Sequence, residues 1–230
     1  MIYYINSYSP DAEMLALCTK RVQELDSSAV IYIANDPQQP VTELPRGCKE
    51  YRDPTPRQGN LNGIAFIRAQ LQGMLNVMEQ EDAEHVVKLD ADAWLNSVAW
   101  LEGDPALDLV FLERMEPLKV NGTCYRVSRS GARILLDALK NRAWPECFNY
   151  PEDNTIYMLG LRGGLDVAAV PYSDGHNAGM HEDLPTQRHA DAWCVHCGEP
   201  LPSGNRCPRE MALLRMRLLA AAIRKHENRN

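Results

Sequence analysis

A chain of 230 residues, 45% hydrophobic and 24% charged, has the length and balance of a folded domain with a real core, which excludes a disordered chain. No apolar run approaches the roughly 18 residues of a membrane span, and Met1 to Asn6 lacks the basic start and long apolar stretch of a signal peptide. Seven cysteines cannot all pair within one chain, and a net charge of −7 argues against a surface devoted to gripping nucleic acid, so a reducing, cytoplasmic location is expected.

Residues 2 to 7, rich in β-branched and aromatic types, predict a first strand. Ser9-Pro10-Asp11 starts a helix whose apolar face comes from Met14, Leu15, Leu17, Val22 and Leu25. Ala29 to Ala34 is almost wholly apolar, the pattern of a buried parallel strand, and Asn35-Asp36-Pro37 ends it. Residues 37 to 58 hold several prolines and little periodicity and are expected to form loop. Leu61, Ile64, Ile67, Leu71, Met74, Leu75 and Met78 recur at helical spacing, which predicts a long helix from about Asn60 to Glu79. Further strands are expected at His85–Asp90, Asp108–Leu112, Val120–Val127 and Asp166–Val170. Helices are expected at Ser128–Leu139 and Pro151–Leu161. Strands alternating with helices predict an α/β fold with a mainly parallel sheet.

Ligands of open α/β sheets bind at the carboxyl ends of the strands. Neither Ser7-Tyr8-Ser9 nor Asn35-Asp36 carries a Gly-rich dinucleotide fingerprint or a Walker A loop, and no Gly-x-Ser-x-Gly elbow is present. These absences disfavour a dehydrogenase, a P-loop kinase and a serine hydrolase of that type. The strand at 85 to 90 runs into Asp90-Ala91-Asp92. Two carboxylates two residues apart share one side of an extended chain, repel each other, and are relieved by a cation between them. Hard oxygen ligands suit Mg2+ or Mn2+ bridging to phosphates. By itself the tripeptide is more readily a solvated turn than a metal site; its place after a buried strand reverses that preference.

Lys88-Leu89-Asp90-Ala91-Asp92-Ala93-Trp94-Leu95 resembles the DxD segment of GT-A nucleotide-sugar glycosyltransferases. Gly59-Asn60-Leu61-Asn62-Gly63 is similar to the asparagine-glycine segment of that fold. Gly122 to Ala132 resembles the acceptor-side strand and helix start of the Fringe-like and β-1,3-galactosyltransferase-like branch. Pro151-Glu152-Asp153-Asn154 resembles that branch's Glu-Asp motif, and Asp174-Gly175-His176 lies where many GT-A enzymes place a metal-ligating histidine. The resemblance spans most of residues 1 to 180. It implies a metal-dependent, hexosyltransferase-like enzyme that moves a sugar from a nucleotide-diphosphate donor to an acceptor hydroxyl with inversion.

In that reading Asp90, Asp92 and His176 hold Mn2+ or Mg2+, the metal neutralising the diphosphate. Ser7, Tyr8, Asp36, Arg57, Asn62, Lys88 and Asp90 face the donor. Asp153, beside Glu152 at a helix start, is the general base. Several of these residues have a plainer role as well: an Asx turn for Asp36, a solvated loop residue for Arg57 and His176, dipole-complementing acids for Glu152 and Asp153. The lack of a Golgi-type anchor suits a bacterial enzyme or one in the cytosol of a phage-infected host.

A change in character falls between Asp183 and Arg188, which predicts a domain of residues 1–186 and an appendage of 187–230. Gln187 to Asn230 carries eight Lys/Arg against four Asp/Glu, a net +4 that leaves −11 for the rest. Cys194-Val195-His196-Cys197-Gly198 followed by Cys207-Pro208 resembles a zinc ribbon or treble-clef knuckle. The expected structural Zn2+ ligands are Cys194, Cys197, Cys207 and His189, with His196, His226 or Glu210 as substitutes for the fourth; the plainer reading is three free thiols. Pro208 to His226 predicts an amphipathic helix whose arginines are a solvated face or an acceptor surface, hydroxymethylated viral DNA being one chemically sensible acceptor. The rival functions are a non-catalytic nucleotide- or protein-binding module on the same fold, and a nucleotidyltransferase.

Overall fold

The strand Ile2–Ser7 (β1) is buried on both faces. Tyr3 and Ile5 enter one hydrophobic core and Ile2 and Tyr4 the other, which is why its sequence does not alternate with polar residues. The computed structural model describes residues 1–7, 9–52, 63–113, 120–170, 177–179, 192–198 and 207–227. After a 3-10 turn at Ser9–Asp11 comes the helix Ala12–Leu25 (α1), then Val30–Asn35 (β2) and Cys48–Arg52 (β3). Ile64–Gln80 (α2) leads into His85–Asp90 (β4), the short strand Ala93–Leu95 (β5) and the single turn Ala99–Glu102 (α3). Leu109–Glu113 (β6), Val120–Ser128 (β7), Arg129–Lys140 (α4), Glu152–Arg162 (α5) and Val167–Val170 (β8) complete the main body. Asn177–Gly179 (β9), Cys194–His196 (β10) and Arg209–Glu227 (α6) follow.

Seven strands form one sheet in the order β3-β2-β1-β4-β7-β6-β8. Its pairings are parallel except those that β7 makes with β4 and β6. The sheet is therefore mainly parallel and flanked by helices, as its alternating pattern predicts. Helices α2, α4 and α5 pack on one face through residues such as Leu71, Met74, Leu135 and Ile156. Helix α1 and the C-terminal helix α6 share the other core, where Leu15 and Val22 meet the cluster that contains Met216 and Leu219. A second sheet, β5-β10-β9, joins the segment just after Asp92 to the cysteine knuckle.

One departure from expectation is β3. Cys-Lys-Glu-Tyr-Arg has no apolar run, because an edge strand has one neighbour and mostly exposed side chains. Cys48 and Tyr51 turn inward, one to each core, the Tyr51 ring 5.6 Å from that of Tyr4. The predicted helix over 60 to 79 is observed from Ile64, and its first predicted residues lie outside the described ones. So does the expected boundary between 183 and 188.

Candidate functional site

Sheet register brings distant residues to one edge. Asn6 is level with both Ala34 and Asp90, and Ser7 with Asn35, so β1, β2 and β4 end together. Ser7 is buried, and its Oγ has no hydrogen-bond partner among the described residues. Asp36 is also buried, and its Oδ1 accepts from the backbone N–H groups of Gln38 (2.7 Å) and Gln39 (2.9 Å), an Asx turn. Tyr8, Arg57, Asn62 and His176 lie outside the described residues.

At the end of β4, the two carboxylates of the DxD segment each have a close partner. Lys88 Nζ stands 2.7 Å from Asp90 Oδ1, and His196 Nε2 stands 3.3 Å from Asp92 Oδ2. Burial raises the Asp90 pKa and Asp92 adds to the rise, while Lys88 opposes it. Burial acts on Asp92 in the same sense, but the charge and hydrogen bond of His196 outweigh it and hold Asp92 below the ordinary carboxylate range. The histidine that meets the DxD segment here is thus one that its sequence setting suggests for zinc. It arrives because β10 pairs antiparallel with β5, setting His196 opposite Ala93. The backbone N–H of Cys197 also donates to the carbonyl of Asp92, at 3.1 Å.

Below this edge runs a buried polar chain. Asn6 Nδ2 donates to Gln70 Oε1. Gln70 Nε2 donates to Tyr125 Oη at 2.9 Å and to Glu152 Oε1 at 2.5 Å, and Tyr125 Oη donates to the same Glu152 oxygen at 2.8 Å. Lys88 donates to the carbonyl of Gly122 at 2.5 Å and lies 3.9 Å from Glu152 Oε2. Burial disfavours the Lys88 ammonium, yet Asp90, Glu152 and Asp153 together raise its pKa above the ordinary range. Burial raises that of Glu152, with Lys88 pulling it down and Asp153 adding to the rise. Sequence alone marks Lys88 and Glu152 and misses Gln70 and Tyr125, whose polar atoms sit within apolar helical and strand patterns.

Glu152 and Asp153 differ in their surroundings. Glu152 is held by Gln70 and Tyr125. Asp153 Oδ1 accepts from the backbone N–H (2.8 Å) and side-chain Nδ2 (3.1 Å) of Asn154. Gly122 lies against Asp153, where a Cβ would stand 2.7 Å from the Asp153 Cβ. Asp11, missed as a site residue, belongs to the same electrostatic group: burial, Asp92 and Asp90 push it up to about 7. Its partner Arg209, at 3.0 Å, is half exposed, and solvent weakens that pair.

Asp90 and Asp92 have the chemistry to hold a hard divalent cation. Among the described residues, however, no three or more His, Cys, Asp or Glu side chains are arranged as a metal-holding group. The knuckle thiols likewise have other neighbours: Cys194 lies beside Cys124, whose thiol burial and Cys194 push up, and Cys207 Sγ lies 3.4 Å from Arg215 Nη1. The remaining expected zinc ligand, His189, lies outside the described residues. The basic helix is partly spent in packing. Arg215 is fully buried against the carbonyl of Cys197 (3.0 Å), and Arg209 and Arg217 reach Asp11 and Glu13 at the start of α1. No helix among the described residues is long and apolar enough to cross a membrane.

This architecture, with a DxD segment ending a central strand of a mainly parallel sheet, is the GT-A-like glycosyltransferase fold. The chain is similar to a glycosyltransferase involved in glycosylation of the major capsid of PBCV-1, at 17% identity and a TM-score of 0.61, over 94% of this chain and 98% of that one. It is also similar to the galactosyltransferase LgtC solved with donor and acceptor sugar analogues, at 14% identity and a TM-score of 0.58, over 96% of each chain. An active-site mutant of LgtC gives 14% identity and a TM-score of 0.56 over the same shares. No protein-family model and no curated protein matches the chain.

Proposed function

We propose that the chain is a metal-dependent glycosyltransferase, hexosyltransferase-like, that moves a sugar from a nucleotide-diphosphate donor to an acceptor hydroxyl. The observation that carries this reading is the Asp90–Asp92 pair at the carboxyl end of the central strand β4, in a chain with a glycosyltransferase fold. In this reading Asp90 and Asp92 hold Mn2+ or Mg2+, and His196, already beside Asp92, is a third candidate ligand together with His176. The metal supplies charge neutralisation of the leaving diphosphate. Ser7, with its unpartnered hydroxyl at the same sheet edge, faces the donor. Asp153, next to the Lys88 and Glu152 charges, takes the proton of the attacking hydroxyl, and transfer proceeds with inversion.

The acceptor is better read as a sugar hydroxyl than as DNA, since Arg209, Arg215 and Arg217 are engaged within the protein. The sugar analogues bound by LgtC are consistent with this. Affinity for hydroxymethylated DNA in a filter-binding assay at low salt would reverse the preference.

The decisive test is release of nucleoside diphosphate from a panel of nucleotide-sugars with Mn2+ or Mg2+. The expected result is metal-dependent release that Asp92→Ala abolishes. Donor binding with no turnover supports the non-catalytic module, and pyrophosphate exchange supports a nucleotidyltransferase. Asp153→Asn is expected to keep donor affinity and lose transfer, and a product of retained anomeric configuration removes Asp153 as the base. Metal analysis of the purified chain tests a structural zinc on Cys194, Cys197, Cys207 and His189: about one zinc per chain supports it.

A further inference from the structure

Lys88 is an unusual occupant of its position. It lies in the middle of the sheet, 3% exposed, and burying an ammonium there requires charged and polar partners. It has partners on two sides. One is Asp90 Oδ1 at 2.7 Å. The other is formed by the Gly122 carbonyl at 2.5 Å and Glu152 Oε2 at 3.9 Å, and Gln70 and Tyr125 hold that glutamate in place. Residues two apart on a strand share a face, so Lys88 and Asp90 meet as a direct result of the Lys-Leu-Asp order.

A divalent ion approaching Asp90 meets this ammonium first. The like charges repel, and one oxygen of the would-be ligand is already taken. Yet removal of the ammonium from Asp90 would not strand a buried charge, because Gly122 and Glu152 offer a second seat. We propose that Lys88 is an internal cation that occupies Asp90 in the metal-free chain, yields it to the divalent ion and withdraws toward Glu152. Lys88 is thus a positioning residue that sets metal affinity, and Glu152 is the acid that receives it. Bare metal binds weakly as a result, and the negative diphosphate of the donor brings it in. The inference rests on the metal-dependent reading above and adds to it a source of control over the same site.

The test is Mn2+ binding to the full chain without donor, followed by the electron paramagnetic resonance signal of free Mn2+. Lys88→Gln keeps a donor for the Gly122 carbonyl but removes the charge, and is expected to bind Mn2+ about tenfold or more tightly than the wild type. Glu152→Gln weakens the second seat, and is expected to bind Mn2+ about tenfold more weakly. Because Glu152 acts through Lys88, Glu152→Gln added to Lys88→Gln is expected to change Mn2+ binding much less than it does in the wild type; two fully additive effects would mean that each charge acts on the ion by its field alone and would overturn the hand-over. Unchanged or weaker Mn2+ binding in folded Lys88→Gln overturns the inference, as does unchanged or tighter binding in Glu152→Gln. If neither wild type nor Lys88→Gln binds Mn2+ while nucleotide-sugar still binds, the inference falls and sugar transfer stands without the metal. If nucleotide-sugar also fails to bind, the transferase reading falls with it.

Discussion

Gly198 lies so close to Asp92 that a Cβ on the glycine would collide with the carboxylate Oδ2 and stand 3.1 Å from Cγ. The knuckle at 194–198 therefore does more than follow the main sheet in sequence. Its backbone holds the carbonyl of Asp92, its histidine meets the side chain, and its glycine leaves room for it. Gly198→Ala is expected to displace Asp92 and to lower metal-dependent turnover by about a hundredfold, since displacements of an ångström cost that much. Steady-state nucleoside diphosphate release, measured beside the thermal midpoint, checks this. A wild-type rate would mean that the contact does not set the position of Asp92.

Gly122 has the corresponding relation to Asp153. An added Cβ would lie 3.1 Å from both Cγ and Oδ2 of that acid. If Asp153 is the base as proposed, Gly122→Ala should lower kcat by about tenfold or more while the donor KM changes little, because the added Cβ pushes on Asp153. A rise in donor KM at constant kcat would place the effect on the donor instead.

Asp108 ties three elements together. Its Oδ1 accepts from Ser128 Oγ (2.6 Å) and Ser130 Oγ (2.9 Å), and its Oδ2 from the backbone N–H of Asp166 (3.3 Å). Burial alone would raise its pKa, but these hydrogen bonds prevail and lower it. A carboxyl depressed in the folded state contributes stability that is present above its unfolded pKa and is lost as pH falls through the folded value. Asp108→Asn should therefore lose stability at pH 7 and approach the wild type below about pH 4. Urea unfolding at several pH values tests this, and a constant difference across the range would argue against it.

Met216 on α6 is fully buried in the cluster that holds Tyr3 and Ile5 of β1. Met216→Ala should cost about 2–5 kcal/mol by opening a cavity there. Because helix and sheet share that core, the variant should still unfold in one transition when followed both by tryptophan fluorescence and by circular dichroism. Two separate transitions would mean that residues 187–230 behave as their own unit.

Much of the fold was legible in local pattern. The apolar runs of β1, β2 and β4 are buried on both faces, so composition reports them directly. Edge strand β3 was illegible because its stability comes from pairing with β2, not from an apolar face. The three-residue strands β5 and β10 were illegible because each is too short for a periodicity. Within the site, Asp90 and Asp92 stood out because both carboxylates follow a buried strand. Gln70 and Tyr125 did not, since a polar atom at the end of a largely apolar face is invisible without its partner.

Sequence by itself determined the alternation of strands and helices, the acidic pair at the end of β4, and the contrast between an acidic body and a basic, cysteine-bearing tail. Tertiary structure alone decided that His196 meets Asp92, that Lys88 stands between Asp90 and Glu152, and that Arg209 and Arg217 meet Asp11 and Glu13 of the body. Periodicity records which face of an element is buried. Strand order and register decide what stands opposite that face, and those depend on the packing of the whole chain.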